Sequence, residues 1–243
     1  MIYEFGQLKE KFDGFLAGHN FGTEPHTLYD PVRYIMSLGG KRIRPLLCMA
    51  SYNLFKTDVE KSLPAALSLE VFHNFSLVHD DLMDDADIRR SQPSVHIKYD
   101  TNTAILSGDV MLIQSFRLLE AYPERFLQLV QLFSKTAAEV CDGQRMDMDF
   151  EKLLQPSIDE YIEMIKLKTS VLIACALKMG AIVADADEKD AFHLYEFGKN
   201  MGIAFQIQDD LLDTFGDANQ VGKKIGGDIL QKKKTYLYLK SLE

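Results

Sequence analysis

The sequence contains no tryptophan, and it is poor in cysteine and proline. The three cysteines, Cys48, Cys141 and Cys175, lie far apart in apolar sequence, with neither a Cys-x-x-Cys pair nor a histidine at ligand spacing. We therefore expect buried thiols in a reducing compartment, and neither a zinc site nor a disulfide framework. All seven prolines occur by Pro156, so the residues after it favour long uninterrupted helices.

The sequence also lacks a long hydrophobic run and an excess of basic residues. Its longest apolar run, SVLIACAL, is far shorter than the roughly 20 residues that cross a bilayer. The N-terminal residues lack the basic and apolar regions of a signal peptide. The net charge of -9 argues against non-specific nucleic-acid binding, which needs a basic surface. We expect a soluble cytoplasmic protein with no membrane span and no nucleic-acid partner.

Hydrophobic residues make up 47% of the 243 residues, which is enough for a substantial core. They recur at intervals of three and four without strand alternation, and this pattern predicts helices. The expected helices are Leu28 to Leu38, Pro45 to Phe55, Pro64 to Met83, Thr103 to Ala121, Glu124 to Asp149, Ile158 to Met179 and Glu188 to Phe215. Because neither a composition break nor a repeat interrupts them, the sequence predicts one all-α domain over residues 1–243.

Two copies of an Asp-Asp-x-x-Asp motif are the most informative feature that is present. They comprise Asp80, Asp81 and Asp84, and Asp209, Asp210 and Asp213. In a helix the first and last aspartate of each copy share one face, where their charges repel. Clustered carboxylate oxygens suit Mg2+, which also keeps room for water and substrate phosphates. The alternative, two acidic faces in an acidic protein, is less favoured because the spacing recurs beside apolar sequence.

Clusters of basic residues alternate with the acidic motifs along the chain. They are Lys41, Arg42 and Arg44 after a glycine pair, Arg89 with Arg90, Lys168 beside Thr169, Lys223 with Lys224, and Lys232 to Lys234. Taken alone, the first cluster also fits an exposed basic turn, and the last fits a solvated tail. The alternation favours a diphosphate site, in which metal ions join the aspartates to an anion and basic residues bind its outer oxygens.

These motifs together resemble the trans-isoprenyl diphosphate synthases, also called polyprenyl synthetases. The resemblance covers nearly the whole chain, and it rests on the order and spacing of GGKRIRP, EVFHNFSLVHDDLMD followed by RR, SGD, GQRMD, KT at Lys168, FQIQDDLLD, and GKKIGGD followed by KKKT. It implies a single large bundle of mostly antiparallel helices around a deep central cavity, with both acidic motifs at its mouth. The family usually continues beyond KKKT, so we expect this chain to lack the usual C-terminal helices.

The resemblance also implies roles for individual residues. The implied metal ligands are Asp80, Asp84 and Asp209, with Asp81, Asp210 and Asp213 in support. The implied ligands of the allylic diphosphate are Arg89, Lys168, Thr169, Gln206, Lys223 and Lys233. The implied ligands of isopentenyl diphosphate are Lys41, Arg44, His73 and Arg90. Gln144 and Asp147 either order bound water or substrate, or simply form a polar helix face, whereas His79 is interpreted as structural.

The implied reaction joins isopentenyl diphosphate to an allylic diphosphate by ionisation, condensation and elimination, with about three Mg2+ ions bound alongside the substrate. A homodimer is what the family suggests. Two alternatives remain open. One is a non-catalytic partner subunit of such a synthase, although both acidic motifs are intact. The other is a class I terpene cyclase, which usually lacks the second motif and the isopentenyl diphosphate pocket.

Product length is expected to depend on the residues one turn before the first acidic motif. The family places its size-determining residues four and five positions before the first aspartate, and this chain has Ser76 and Phe75 there. One large and one small residue resemble enzymes with C15 or C20 products. The alternative for Phe75 is ordinary core packing.

Replacing Phe75 by alanine is therefore expected to lengthen the product, because the floor of the cavity is lowered. Chromatography of the prenyl products from wild-type and Phe75→Ala protein measures this. An unchanged product distribution would contradict the assignment of Phe75 to the floor.

Overall fold

The structure is a computed structural model, and it describes residues 2–150, 152–153, 156–216 and 233–242. This part of the chain is predominantly helical, which confirms the all-α prediction. The α-helices are α1 (Phe5–Gly18), α2 (His26–Ser37), α3 (Ile43–Asn53), α4 (Leu63–Met83), α5 (Val95–Lys98), α6 (Thr101–Arg117), α7 (Phe126–Phe150), α8 (Ile158–Ile165), α9 (Val171–Val183), α10 (Glu188–Phe215) and α11 (Tyr236–Ser241). Short 3-10 helices cover Val59–Ser62 and Leu118–Ala121, and one π-helical turn covers Lys166–Ser170.

Local sequence explains where several helices begin and end. The Asp100 side chain accepts a hydrogen bond from the backbone N–H of Thr103 at 2.9 Å and caps α6. Ser157 and Glu160 form a reciprocal capping box at the start of α8. Gly39 and Gly40 follow α2 with φ values of 76° and 130°, a conformation that side chains disfavour, and they end that helix.

The predicted helices agree with α2 to α4, α6, α7, α9 and α10, but the structure differs from the sequence prediction elsewhere. Helices α1, α5 and α11 were not predicted. The segment predicted as one helix from Ile158 to Met179 contains the π-helical turn. A hairpin pairs β1 (Ile88–Arg89) with β2 (Gln92–Pro93), strands too short to produce an alternating pattern. Within the described ranges, no helix has both the length and the apolar composition to cross a bilayer.

The cysteine prediction is correct for two residues and wrong for one. Cys48 and Cys175 are buried, whereas Cys141 is exposed. Cys141 lies between the buried Val140 and the exposed Asp142 on α7, so the helix turns its thiol to the outside.

The chain divides into two compact units. The first comprises Met1–Gln131 with Ala176–Ala191. At its centre is α4, which packs against α3 and α6 and has buried side chains around most of its circumference, including Leu67, Leu69 and Phe72. A helix that is apolar all round must be enclosed by other elements. The acidic motif at the end of α4 therefore extends from a helix that its neighbours enclose.

The second unit comprises Leu132–Cys175 with Phe192–Glu243. Its buried cluster joins α7, α8 and α11 through Phe150, Tyr161, Met164, Ile165 and Leu239. Ile203 and Ile207 of α10 pack against that cluster, so α10 is anchored just before its acidic motif. The prediction of one domain over the whole chain stays a prediction.

We expect Gly180→Ala to destabilise the protein. An added Cβ at Gly180 would overlap the carbonyl oxygen of Cys48 on α3 and lie 3.0 Å from the Cβ of Ser51. Overpacking of this kind costs about 1–3 kcal/mol. The melting temperature should fall in Gly180→Ala but not in Gly14→Ala, because a Cβ at Gly14 meets nothing within 4 Å. Equal melting temperatures for the two variants would contradict this account of the α3–α9 contact.

Candidate active site

The first acidic motif lies at the C-terminal end of α4. Asp80 is half-buried, Asp81 is fully buried and Asp84 is exposed. Asp84 caps the helix, and its backbone N–H donates to the carbonyl oxygen of Asp80 at 2.9 Å. The first and third carboxylates are thus one helical turn apart, as their spacing predicts, while the middle carboxylate is enclosed.

Asp81 is held by an arginine of the hairpin that follows α4. The Arg89 Nε lies 2.9 and 3.1 Å from the two carboxylate oxygens of Asp81, and Nη2 also donates to Oδ1. Arg89 Nη2 is 3.9 Å from Asp80 Oδ2 as well. Burial raises the pKa of Asp81, and the Arg89 guanidinium opposes that rise. Arg89, predicted to bind the allylic diphosphate, is therefore placed at the first acidic motif.

The neighbouring Arg90 is directed to a different partner. Its Nη1 donates to the carbonyl oxygen of Gly39 and lies 3.3 Å from Asn74 Oδ1. Arg90 and Ser91 form the tip of the hairpin with φ values of 52° and 62°, where L-residues are strained. The hydrogen bonds of Arg90 offset that strain. The hairpin thus directs Arg89 to the acidic motif and Arg90 to the glycine pair.

The basic residues after the glycine pair are not all directed to one place. Lys41 is exposed, but Arg42 is 6% exposed, forms an ion pair with Glu70 and donates to the carbonyl oxygen of Met36 at 2.8 Å. The interpretation that this tract presents three cations together is therefore wrong for Arg42. Its inward direction follows from Glu70, a carboxylate that is itself 2% exposed and needs a partner.

Arg44 contacts His73, another residue predicted to bind isopentenyl diphosphate. Arg44 Nη1 lies 3.2 Å from His73 Nε2. Burial, with Arg44 and Arg90 nearby, lowers the pKa of His73 well below its usual range. Because arginine can only donate, Nε2 accepts and the proton of the neutral ring lies on Nδ1. Burial lowers the pKa of Arg44 to about 10, so its guanidinium stays charged at neutral pH.

Asn74 links these groups to one another. Its Nδ2 donates to Glu70 Oε1 at 2.9 Å, while its Oδ1 faces Arg90. The structure therefore brings together Arg44, His73 and Arg90, three of the four predicted isopentenyl diphosphate ligands, with Lys41 beside them in sequence. Within the described part of the chain, the buried Nε of Arg44 has no hydrogen-bond partner.

The second acidic motif lies in the last two turns of α10, in the second unit. Asp209 and Asp213 are half-buried, and Asp210 is 3% exposed. Tyr161 donates its hydroxyl proton to Asp210 Oδ2, and Gln206 Nε2 lies 3.3 Å from Oδ1. Burial raises the pKa of Asp210, and these hydrogen bonds oppose the rise. The middle aspartate is again the enclosed one.

The π-helical turn carries Lys168 and Thr169. Lys168 Nζ is 2.5 Å from Asp147 Oδ2, and Thr169 Oγ1 donates to Gln206 Oε1 at 3.3 Å. The predicted diphosphate ligands Lys168, Thr169 and Gln206 therefore lie close together in the second unit. Asp147 contacts Lys168, which goes beyond a simple polar helix face. Lys233 is exposed, and Lys223 lies outside the described residues.

The carboxylates suit Mg2+, although they do not form a complete cage by themselves. Among the described residues, no three His, Cys, Asp or Glu side chains are grouped so that they could hold a metal ion. Mg2+ commonly binds through one or two carboxylates and completes its shell with water and substrate phosphates. The paired Asp80 and Asp84 fit that requirement.

The predicted chain-length residues lie in a stack of rings on α4. Phe75 is buried, 5.4 Å from the Phe72 ring and 4.9 Å from the His79 ring. The His79 ring lies on Gly108 of α6, where an added Cβ would be 2.5 Å from its Cδ2. This contact agrees with a structural role for His79 and explains the glycine of the SGD motif. Ser76 is half-buried and donates to the carbonyl oxygen of His73 at 2.8 Å.

Sequence reasoning did not identify Glu70, Asn74 or Tyr161. Glu70 had a detectable signal, because it is a single acidic residue in an otherwise apolar helical run. Asn74 and Tyr161 gave no such signal, since their importance lies in contacts with Arg90 and Asp210 that are distant in sequence.

Comparison with known proteins identifies the family. The sequence model described as polyprenyl synthetase matches residues 25–243. The chain is 41% identical over 218 residues to the short chain isoprenyl diphosphate synthase of Methanocaldococcus jannaschii, covering 89% of this chain and 66% of that protein. It is 41% identical over 224 residues to the geranylgeranyl diphosphate synthase of Methanosarcina mazei, covering 91% of this chain and 69% of that protein.

A solved structure agrees with these relatives. A crystal structure of a geranylgeranyl pyrophosphate synthase superposes with a TM-score of 0.96 and 52% identity, covering 99% of this chain and 74% of that one. The chain thus spans about two thirds to three quarters of the length of these proteins. Their names agree with the activity class that the motifs predicted, and the resemblance is confirmed. The chain belongs to the polyprenyl synthetase family.

Proposed function

We propose that this chain is a short-chain trans-prenyl diphosphate synthase, a prenyltransferase that joins isopentenyl diphosphate to an allylic diphosphate to form a C15 or C20 product. The observation that carries the proposal is a surplus of positive charge beside the first acidic motif. His73, which contacts Arg44, lies two turns before Asp80 on α4. One helix therefore connects the cluster of arginines to the first acidic motif.

The surplus is visible in the pairing of four arginines. Arg42 and Arg89 form ion pairs with Glu70 and Asp81, whereas Arg44 and Arg90 form none within the described residues. Burial lowers the pKa of Arg90; the Glu70 carboxylate opposes this shift, while Arg42 and Arg89 add to it. Half-buried cations without a direct ion pair are unfavourable, so a bound anion stabilises them. A diphosphate held by Lys41, Arg44, His73 and Arg90 meets that need.

In the proposal Asp80, Asp84 and Asp209 hold Mg2+, with Asp81, Asp210 and Asp213 in support and about three ions in the substrate complex. The bound metal offsets the negative charge of the carboxylates and of the departing diphosphate. The remaining oxygens of the allylic diphosphate bind Arg89, Lys168, Thr169, Gln206, Lys223 and Lys233. Asp147 holds the Lys168 ammonium where the diphosphate arrives.

The reaction breaks the carbon–oxygen bond of the allylic diphosphate and leaves an allylic cation. The double bond of isopentenyl diphosphate attacks that cation and forms a carbon–carbon bond, and a proton then leaves to the released diphosphate. His73 is neutral and accepts from Arg44, which suits it to binding rather than to proton removal. The chain's contribution is to orient two diphosphates, stabilise the leaving one and exclude water from the cation.

The product length, the homodimer and the cytoplasmic location stay predictions.

One assay tests the function and its alternatives. Purified protein is incubated with Mg2+, labelled isopentenyl diphosphate and allylic primers of five, ten or fifteen carbons. A synthase incorporates the label into longer prenyl diphosphates. A cyclase converts the primer without using isopentenyl diphosphate, and a non-catalytic partner subunit does neither alone.

We expect Asp84→Asn to lower kcat about 100-fold, because a charged metal ligand is replaced by a neutral amide. Asp85→Asn is the matched control. It makes the same change at the next exposed carboxylate, whose φ of 50° asparagine tolerates. Steady-state kinetics should place the control within about two-fold of wild type. Equal losses in both variants would contradict the role given to Asp84.

A further inference from the structure

The π-helical turn at Lys166–Ser170 interrupts the helix formed by α8 and α9. Such turns shift the side chains that follow, and they are frequent at functional sites. Ser170, at the end of the turn, is fully buried, and its Oγ lies 3.4 Å from the carbonyl oxygen of Ile165, five residues earlier. The turn carries Lys168 and Thr169, so its position decides where these two side chains lie.

A glycine of α7 lies directly against the backbone of this turn. An added Cβ at Gly143 would overlap the backbone nitrogen of Lys168, 2.6 Å from the carbonyl carbon of Leu167 and 2.7 Å from Lys168 Cα. These are backbone atoms, so no change of side-chain rotamer relieves the overlap. Four residues later on the same helix, Asp147 binds Lys168 Nζ. Helix α7 therefore contacts Lys168 twice, with Gly143 at its backbone and with Asp147 at its ammonium group.

A glycine of α10 makes a second close approach. An added Cβ at Gly202 would lie 2.6 Å from the Cα, 2.7 Å from the Cβ and 2.8 Å from the Oγ of Ser170. One turn further along α10, Gln206 binds Thr169. The two helices repeat one arrangement. On α7, Gly143 lies four residues before Asp147, which binds Lys168. On α10, Gly202 lies four residues before Gln206, which binds Thr169.

We propose that Gly143 and Gly202 are positioning residues for diphosphate binding. Their missing side chains let α7 and α10 contact the backbone of the π-helical turn, and this contact sets where Lys168 and Thr169 meet the allylic diphosphate. The inference rests on the proposed function and adds two residues that act through Lys168 and Thr169.

The test compares Gly143→Ala and Gly202→Ala with Gly14→Ala, the same change at a position with open space. Displacing Lys168 or Thr169 removes a charge-assisted hydrogen bond, so the KM for the allylic diphosphate should rise about 10- to 100-fold in the first two variants. The KM for isopentenyl diphosphate should stay at the wild-type value, because its proposed ligands lie in the first unit. A purely structural effect lowers the active fraction, and with it the apparent kcat, and leaves both KM values unchanged.

The Gly202 variant decides the question if Gly143→Ala does not fold, as judged by circular dichroism. Ser170→Gly removes two of the three Ser170 atoms, Cβ and Oγ, that a Cβ at position 202 would overlap. The double variant Gly202→Ala/Ser170→Gly should therefore have a KM for the allylic diphosphate closer to the wild-type value. An unchanged allylic KM in folded Gly202→Ala, or an equal rise for both substrates, overturns the proposal. If wild type does not condense the two substrates, the proposed function fails. In that case calorimetry measures the affinity for inorganic pyrophosphate in the presence of Mg2+. The positioning role predicts weaker binding by Gly202→Ala than by wild type, and equal affinities overturn it.

Discussion

A buried middle aspartate anchors each acidic motif, and the placement of the other carboxylates depends on that anchor. Asp81 is enclosed with Arg89, and Asp210 is enclosed with Tyr161 and Gln206. A buried carboxylate without donors would take up a proton or destabilise the fold. The two motifs meet this constraint differently, one with a cation and the other with neutral donors. In both, the first and third aspartates remain half-buried or exposed.

A second buried contact supports the basic side of the first unit. The ion pair of Arg42 and Glu70 joins the glycine tract to α4, and Asn74 extends it to Arg90. Removing one partner from such a pair leaves a buried charge and costs about 3–5 kcal/mol. With Glu70 paired to Arg42, the direct contacts of Arg44 and Arg90 are made with His73 and with neutral oxygen acceptors.

Much of this arrangement was predictable because it is local. The i, i+4 spacing places Asp80 and Asp84 on one face, and the glycine pair ends α2, since both follow from helix geometry and glycine conformation. That Arg89 and Arg90 have different partners was not predictable. It depends on a hairpin with strands of only two residues, whose tip has positive φ at the non-glycine residues Arg90 and Ser91. The inward turn of Arg42 was not predictable either, because it requires Glu70 from another helix.

The sequence by itself determined the helical class, the family and the residue types at the site, because periodicity and short motifs are written in consecutive residues. Only the tertiary structure decided which charged groups are paired and which are not. It enclosed Asp81 and Asp210, assigned Arg42 to Glu70, and turned the predicted helix at Lys168 into a π-helical segment against Gly143. The physical reason is that burial and close backbone approach depend on neighbours from distant parts of the chain.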